Sequence, residues 1–366
     1  MKIGIITLPF HTNYGGVLQN YALQRFLIQM GHDPITLCET YIPRDIELTP
    51  VQRYLNWGKD IIKWILRREA TFPPTPEKQI ERIQRNISVI NKFIDSYIKI
   101  TKPYYEFTSE IVGEYKLDAL IVGSDQVWHP LIARHLVNNQ FGRFANKDNI
   151  KMVAYAASFG SDNDIYTKEL ISECKEQIDN FSTIGVREKS AIKTVKRYWD
   201  VHADWVLDPT LLLEAKDYEE IIKNKPRFNK KFVFSYILDG NDQKSNFIKR
   251  ISNEMGCESV ILDCSLKGHI QPIENWLSYI RDAEFVITDS YHGAIFSIIF
   301  QKEFICIYNP LRGASRMDTL KEITGLEERF VGSPIEMPNE KINYEEVSSR
   351  LEEYKKLSFR FLANSL

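Results

Sequence analysis

Short runs of apolar residues recur along the chain, and most of them end in small or polar residues. Phe285, Val286 and Ile287 form such a run, which ends in Thr288, Asp289 and Ser290, and a helix-like apolar segment begins after Gly293. This pattern is typical of a buried parallel strand that passes through a tight turn into a helix. The same pattern recurs at residues 2–8, 119–122, 152–156, 182–186, 232–238, 259–263 and 304–308. The chain is therefore predicted to be an α/β protein with parallel sheets.

Residues 43 to 100 interrupt the alternation with mostly helical sequence. Trp57, Ile61, Trp64 and Ile65 recur at helical spacing, with basic residues between them, namely Lys59, Lys63, Arg67 and Arg68. Residues 71–76 (TFPPTP) break this helix, and residues 77–100 resume it. An apolar stripe of this kind most often packs on its own domain, although it also suits a membrane surface or a large acceptor.

The two halves predict two doubly wound, Rossmann-like domains that face a central cleft. The first is predicted at residues 1–215, with the helical insertion at about 43–100, and the second at 216–345. Residues 346–366 are predicted to form a C-terminal helix that packs back toward the junction. A strand, the loop with Gly15 and Gly16, and a helix from Val17 open the first domain, without the G-x-G-x-x-G spacing of dinucleotide sites.

Composition narrows the class of protein. The 366 residues are 43% hydrophobic and 26% charged with a net charge of -2, which is ordinary for a globular protein and gives no reason to expect nucleic-acid binding. Five scattered cysteines without a C-x-x-C pair indicate reduced thiols. With no signal peptide and no membrane-length apolar run in the sequence, we expect a cytoplasmic enzyme.

Anion recognition is the chemistry that the turns favour. The seven histidines show no metal-ligand spacing, and neither a G-x-S-x-G turn nor a P-loop is present. Asp125, Asp208 and Asp289 could gather around a divalent ion, but nothing in their spacing requires one. What remains is a set of glycine-bearing turns and basic side chains, namely Arg187 at a strand end, His292 at a helix start, and Arg312 and Arg316 in or beside a loop.

Six sequence blocks in order resemble the polysaccharide pyruvyl transferase family. They are NYGGVLQNYALQ (13–24), VGSDQVW (122–128), YAASFG (155–160), VREKS (186–190), LDPTLLL (207–213) and TDSYHG (288–293). The resemblance runs from about Ile3 to Ile307. It implies a GT-B-like fold and transfer of a pyruvyl group from phosphoenolpyruvate to hydroxyls of a sugar in a cell-surface polysaccharide or its lipid-linked precursor. A cyclic ketal forms, phosphate is released, and no metal or organic cofactor is required.

The resemblance also implies roles for residues on the donor side. Arg187 and His292 match the family's phosphoenolpyruvate-binding arginine and histidine, with His292 as a phosphate donor or the general acid. Some family members have arginine where this chain has Ser290, so a positive charge is missing beside the donor. We expect Arg316 or Arg312, from the neighbouring loop, to replace it.

On the acceptor side, Asp125 is either the base for a sugar hydroxyl or a helix cap. The residues predicted to line this side are Asn13, Gly15, Gly16, Gln19, Ser124 and Gln126. His11 and His129 are interpreted as loop histidines, and Asp208 as part of the interdomain hinge. Asp289 either holds His292 in one tautomer or satisfies the amides of its turn.

Two other functions fit the same sequence. A GT-B glycosyltransferase would use a nucleotide sugar on this kind of fold, because a fold does not fix a function. A non-catalytic glycan-binding relative could have kept the architecture after losing the arginine at position 290. Peripheral contact with the inner face of the membrane is a further expectation, because the acceptor is expected to be lipid-linked.

Overall fold

Two parallel β-sheets organise the chain. The computed structural model describes residues 1–67, 72–145, 150–161, 163–263, 270–309, 313–333, 338 and 340–366. The first sheet has the order β2-β1-β3-β4-β5-β6 and contains β1 (Lys2–Ile6), β2 (Asp33–Leu37), β3 (Ala119–Val122), β4 (Lys151–Ala157), β5 (Phe181–Val186) and β6 (Asp204–Trp205). The second has the order β11-β10-β9-β7-β8 and contains β7 (Phe232–Ile237), β8 (Glu258–Asp263), β9 (Phe285–Thr288), β10 (Glu303–Ile307) and β11 (Phe330–Val331).

Helices connect the strands of both sheets. Those of the first domain are α1 (Tyr14–Gln29), α2 (Arg44–Glu47), α3 (Pro50–Arg67), α4 (Pro76–Tyr97), α5 (Glu110–Tyr115), α6 (Lys168–Ile178), α7 (Lys189–Trp199) and α8 (Ala215–Ile221). Those that follow are α9 (Asp242–Glu254), α10 (Ile273–Asp282), α11 (Tyr291–Ile299), α12 (Ala314–Thr324) and α13 (Tyr344–Ser365). The predicted helical insertion is formed by α2, α3 and α4, between β2 and β3.

Strand order places a ligand crevice in each domain. In the first sheet the order reverses between β1 and β3, and in the second it reverses between β7 and β9. The connections leave these strands in opposite directions, so a crevice opens outside their carboxyl ends. The two doubly wound domains confirm the predicted fold class.

The two domains share one continuous core. Tyr14, at the start of α1, contacts the rings of Tyr236 and Trp276 in the second domain, with centroids 6.0 and 5.5 Å apart. Its hydroxyl donates to the carbonyl of Gln271 at 2.6 Å. The first turn of α1 is therefore held against the second domain.

Helix α13 returns from the second domain to the first. The Ser358 hydroxyl accepts from the backbone N–H of Leu207 at 3.0 Å, and Ser365 bonds to Thr183 at 2.6 Å. Among the described residues, no helix is long and apolar enough to span a membrane.

Candidate functional site

Arg187 lies directly after β5, and its side chain is fully buried. Its Nη1 atom donates to Oδ2 of Asp208 at 3.0 Å and to Oγ of Ser124 at 3.3 Å. Nη2 lies 3.5 Å from Oδ1 of Asp125, and neither Nη2 nor Nε has a hydrogen-bond partner among the described residues. Burial opposes the guanidinium charge, but the Asp208 and Asp125 carboxylates outweigh it and raise the pKa of Arg187. Arg187 is therefore permanently charged and still has N–H groups to donate.

Asp208 is the acceptor at the centre of this cluster. Its Oδ1 accepts from the backbone N–H and the hydroxyl of Thr210 at 3.0 and 2.7 Å. Its Oδ2 accepts from Arg187 and from the Ser124 hydroxyl, the latter at 3.4 Å. Burial disfavours the carboxylate, but neighbouring His292 and Arg187 outweigh it and lower the pKa of Asp208. The interpretation of Asp208 as a hinge residue did not include this role, because Arg187 and Ser124 are distant from it in sequence.

His292 reaches the same carboxylate from the second domain. It lies in the first turn of α11, is buried, and places Nε2 3.6 Å from Oδ2 of Asp208, an electrostatic contact longer than a hydrogen bond. Within the described part of the chain, Nε2 has no hydrogen-bond partner. The structure thus brings Arg187 and His292 to a single oxygen atom of Asp208.

Gly15 makes the approach of the two domains around His292 possible. A Cβ atom on Gly15 would lie 1.9 Å from Nδ1 of His292, so only a residue without a side chain fits beneath the ring. Helix α1 begins at Tyr14, three residues before the predicted start, and both glycines lie in its first turn. Gly15 therefore provides space for His292, whereas the sequence predicted an acceptor contact.

Replacing Gly15 with alanine is expected to lower the free energy of unfolding by about 1–3 kcal/mol, the usual cost of overpacking. The added methyl group must displace the His292 ring or the start of α1. Gly113→Ala is the matched control, because a Cβ atom there meets nothing within 4 Å. Urea unfolding of both variants measures the difference, and equal stabilities would contradict the close contact.

Two arginines approach the ring of Tyr291. The Cζ atoms of Arg187 and Arg316 lie 5.3 and 5.5 Å from its centroid. Burial and the nearby Arg187 charge lower the pKa of Arg316, although an arginine remains protonated at neutral pH. Arg316 lies on α12 and is buried, so the second domain supplies a further positive charge to this region.

A small pocket adjoins the cluster on the side of the first domain. It is lined by residues 7–11, Asn13, Gly16, Val17 and Asp125, at the crevice between β1 and β3. Asn13 donates to Oδ2 of Asp125 at 3.4 Å. Of the residues predicted for the acceptor side, Asn13 and Gly16 line this pocket together with Asp125.

Asp125 connects the basic cluster to the pocket. Its φ angle of 77° lies in the left-handed region, which non-glycine residues seldom adopt and which is enriched at functional sites. Burial disfavours its charge, but Arg187, His292 and Arg316 outweigh burial and lower the pKa of Asp125. The pocket therefore contains an ionised carboxylate.

His11 lines the same pocket, which the sequence analysis did not anticipate. Its ring lies 5.2 Å from that of Tyr41, and burial lowers its pKa despite the charge of Asp125. At neutral pH His11 is therefore an uncharged imidazole. Its position in the loop that follows β1 was a usable signal, since ligands bind at the carboxyl ends of parallel strands.

The other residues predicted for the acceptor side support the loops. Gln19 is fully buried and donates to the Thr7 hydroxyl and the Gly16 carbonyl at 3.0 and 2.9 Å. Ser124 is buried between Arg187 and Asp208. Gln126 packs under Gly160, where a Cβ atom would lie 2.4 Å from its Nε2. These three side chains hold the turns in place and do not line the pocket.

Ser290 and Asp289 organise the turn before α11. The Ser290 hydroxyl accepts from the N–H of Gly293 at 3.3 Å and so caps the helix. Asp289 accepts from the N–H groups of Leu238 and Asp239 at 2.6 and 3.1 Å and from Nζ of Lys244 at 2.7 Å. Asp289 therefore satisfies backbone amides of the loop after β7, whereas the sequence predicted those of its own turn. Arg312 lies outside the described residues.

The site is suited to bind an anion. The N-termini of α1 and α11 meet where Gly15 packs on His292, and helix N-termini favour negative charge. Arg187 and Arg316 add two full positive charges. In the described ranges, no three His, Cys, Asp or Glu side chains form a group that could hold a metal ion. The arrangement can hold a small acidic molecule next to a pocket that contains Asp125 and His11.

Solved structures that are similar to this chain are distant in sequence. A protein described as a UDP-N-acetylglucosamine 2-epimerase from Listeria monocytogenes is 10% identical, with 100% of this chain and 91% of that chain covered and a TM-score of 0.50. A UDP-GlcNAc 2-epimerase from Methanocaldococcus jannaschii is 11% identical, with coverages of 96% and 92% and a TM-score of 0.47. The Listeria structure supports the GT-B-like arrangement of two domains.

Sequence comparison gives the family. No curated protein gave a significant match. The profile of the family described as polysaccharide pyruvyl transferase matches residues 13–310, which is most of the chain and includes Asp125, Arg187, Asp208 and His292. The chain belongs to the polysaccharide pyruvyl transferase family, which is a family of enzymes.

Proposed function

We propose that the protein transfers a pyruvyl group from phosphoenolpyruvate to two hydroxyls of one sugar residue, with formation of a cyclic ketal and release of phosphate. The observation that carries the proposal is the convergence of Arg187, His292 and Arg316 beside a pocket that holds an ionised carboxylate. Buried N–H groups of Arg187 without acceptors favour an anionic ligand, because unsatisfied buried donors are costly.

Phosphoenolpyruvate suits the hydrogen-bond donors of this site. It carries a carboxylate and a phosphate, which would accept charge-assisted hydrogen bonds from Arg316 and from the Nη2 and Nε groups of Arg187. Arg187 comes from the first domain and Arg316 from the second, so the proposed donor binds between them. His292 lies at the N-terminus of α11 and adds a donor for phosphate or the proton for the reaction.

The proposed reaction adds both sugar hydroxyls to one carbon atom. A proton adds to the methylene carbon of the donor and makes it a methyl group, and the adjacent carbon becomes cationic. The first hydroxyl attacks this carbon and loses its proton. The carbon–oxygen bond to phosphate then breaks, and the second hydroxyl closes the ring and loses its proton. The methyl group retains the one added proton, so the two hydroxyl protons return to the acid and to the released phosphate. These steps require no metal or organic cofactor.

Asp125 is the proposed base for the acceptor. It lies on the boundary between the pocket and the basic cluster, and it is ionised. The pocket holds about one water-sized group. A sugar at its mouth would place one hydroxyl near this carboxylate and near the carbon atom of a donor held by Arg187. We propose that Asn13 and Gly16 contact the same sugar, because both line the pocket.

The proposed acceptor is a sugar of a cell-surface polysaccharide or of its lipid-linked precursor. Phosphoenolpyruvate is a metabolite of the cytoplasm, so we place the reaction on the cytoplasmic side of the membrane. A precursor carried by a lipid would then be modified before export.

Thermal unfolding with candidate donors tests the proposal. Phosphoenolpyruvate at about 100 times its Kd should stabilise the protein by about 2.7 kcal/mol, and nucleotide sugars should have no effect. Inorganic phosphate and pyruvate serve as controls for partial ligands. Stabilisation by UDP-sugars alone would instead favour a glycosyltransferase. Release of phosphate that depends on an added sugar acceptor would exclude a non-catalytic relative.

Replacing Arg316 with alanine should raise the KM for phosphoenolpyruvate about tenfold, with a smaller change in kcat. The variant loses one of the two cations near Tyr291, which is worth about 1.4 kcal/mol if it binds substrate and transition state alike. Lys321→Ala is the control, since Lys321 is on the same helix but contacts Asp318 and Tyr308. Steady-state phosphate release gives the KM and kcat of both variants. An unchanged KM in Arg316→Ala would remove Arg316 from the donor site.

A further inference from the structure

Helix α3 exposes an aliphatic face. Val51, Leu55, Ile62 and Leu66 are 70, 63, 58 and 76% exposed. At 100° per residue these four positions fall within an arc of about 60° on the helix. Tyr54 and Ile65, also exposed, widen the same face. An ordered apolar surface of this kind on a single helix indicates a binding partner rather than chance exposure.

The helix is attached to the protein through a different face. Trp57, Ile61 and Trp64 are half-buried, and both indole rings contact Phe72, with centroids 6.3 and 5.1 Å apart. The Trp57 indole N–H also donates to the Pro73 carbonyl at 3.2 Å. Since the tryptophan face already packs on the protein, the aliphatic face is left to meet something else.

Charge identifies an anionic surface as the partner. Lys59 and Lys63 are exposed and, by helical spacing, border the aliphatic face on one side. The helix sequence has four basic residues, Arg53, Lys59, Lys63 and Arg67, and one acidic residue, Asp60, whereas the whole chain has a net charge of -2. Apolar residues bordered by lysines are typical of helices that lie in the surface of an anionic bilayer. A symmetric pair of these helices would instead bring like charges together.

The start of α3 is tied to the loop beside the acceptor pocket. Arg53 donates from Nε and Nη2 to the carbonyls of Asp45 and Ile46 at 2.9 and 2.7 Å. Tyr41, shortly before these residues, packs its ring on His11, which lines the pocket. A surface bound by α3 would therefore be connected to the acceptor side of the site through a short segment of chain.

We propose that α3 lies in the surface of an anionic bilayer, with Val51, Leu55, Ile62 and Leu66 among the acyl chains. This inference rests on the proposed function, because it gives a reason for a membrane contact: the acceptor sugar is carried on a lipid. The helix holds the pocket close to the surface where such a sugar is found.

Co-sedimentation of the full chain with vesicles tests this inference. We expect binding to vesicles of phosphatidylcholine with 30% phosphatidylglycerol and at least tenfold weaker binding to phosphatidylcholine alone. Leu55→Glu with Ile62→Glu should reduce binding to the anionic vesicles at least tenfold without changing the melting temperature, since both side chains are exposed. Leu357→Glu is the matched control, an exposed leucine on α13.

The outcomes separate this inference from the proposed function. No binding to either kind of vesicle overturns the membrane contact, and equal binding to both overturns the proposed anionic surface, even if phosphoenolpyruvate still stabilises the protein. A wild-type dimer in light scattering that becomes a monomer in the Leu55→Glu, Ile62→Glu variant also overturns it, because the face would then join two copies. Vesicle binding without stabilisation by phosphoenolpyruvate would instead contradict the proposed donor alone.

Discussion

Replacing Arg187 with lysine is expected to lower kcat/KM for phosphoenolpyruvate at least about 100-fold, equivalent to ~2.7 kcal/mol. The guanidinium contacts Asp208, Ser124 and Asp125 at once, and it keeps N–H groups for the donor. A lysine ammonium keeps the charge but cannot reproduce this planar set of contacts. Phosphate release at varied donor concentration measures the change.

The control for this variant is Arg197→Lys. Arg197 lies on α7, the helix that follows Arg187, and is largely exposed. It should keep full activity. Since Arg187 is buried, the unfolding midpoint of each variant must be measured at the same time, so that loss of fold is not mistaken for loss of catalysis. A folded Arg187→Lys enzyme with wild-type kcat/KM would contradict the proposed donor site.

Replacing Asp208 with asparagine is expected to cost about 3–5 kcal/mol of stability at neutral pH, the usual effect of breaking a buried ion pair. The change keeps the shape of the side chain but removes the charge that faces Arg187 and His292. Urea unfolding at pH 7 measures the loss. Asp179→Asn, on an exposed pair with Lys175, should cost less than about 1 kcal/mol.

The difference in unfolding free energy between wild type and Asp208→Asn should become smaller at acid pH. His292 and Arg187 outweigh burial and hold the pKa of Asp208 below the ordinary aspartate value of about 3.9. The carboxylate therefore stabilises the folded state fully above about pH 4, and this contribution is lost as the pH falls further. The difference in unfolding free energy should therefore narrow as the pH falls below about pH 4. A gap that widens in acid would contradict the lowered pKa.

The sequence predicted the strands that lie inside the sheets. β3, β4, β7, β9 and β10 are largely apolar runs, as is β1, because strands buried on both faces leave no room for polar alternation. In β5 the buried end at residues 184–186 gave the signal, although Ser182 is exposed. The edge strands β6 and β11 have only two residues each, which is too short for any pattern. Strand β2 was also missed, since it begins with Asp33 and Pro34.

The candidate site was predictable as far as strand ends could indicate it. Arg187, Asp125 and His292 each follow a recognisable strand, and the structure brings them together. Asp208 could not be found in this way, since its importance comes from contacts with residues 21 and 84 positions away. A glycine is needed at position 15 because the His292 ring of the other domain packs against it, and no local sequence pattern could show this contact.

The contact between Gly15 and His292 makes the relative position of the domains part of the chemistry. Arg187, Asp125 and Asp208 belong to the first domain, while His292, Tyr291 and Arg316 belong to the second. A rotation that parted α1 from α11 would leave an excess of negative charge on one wall and of positive charge on the other. Neither wall alone carries both arginines and His292, so a hinge motion between the domains would take the site apart until the two walls meet again.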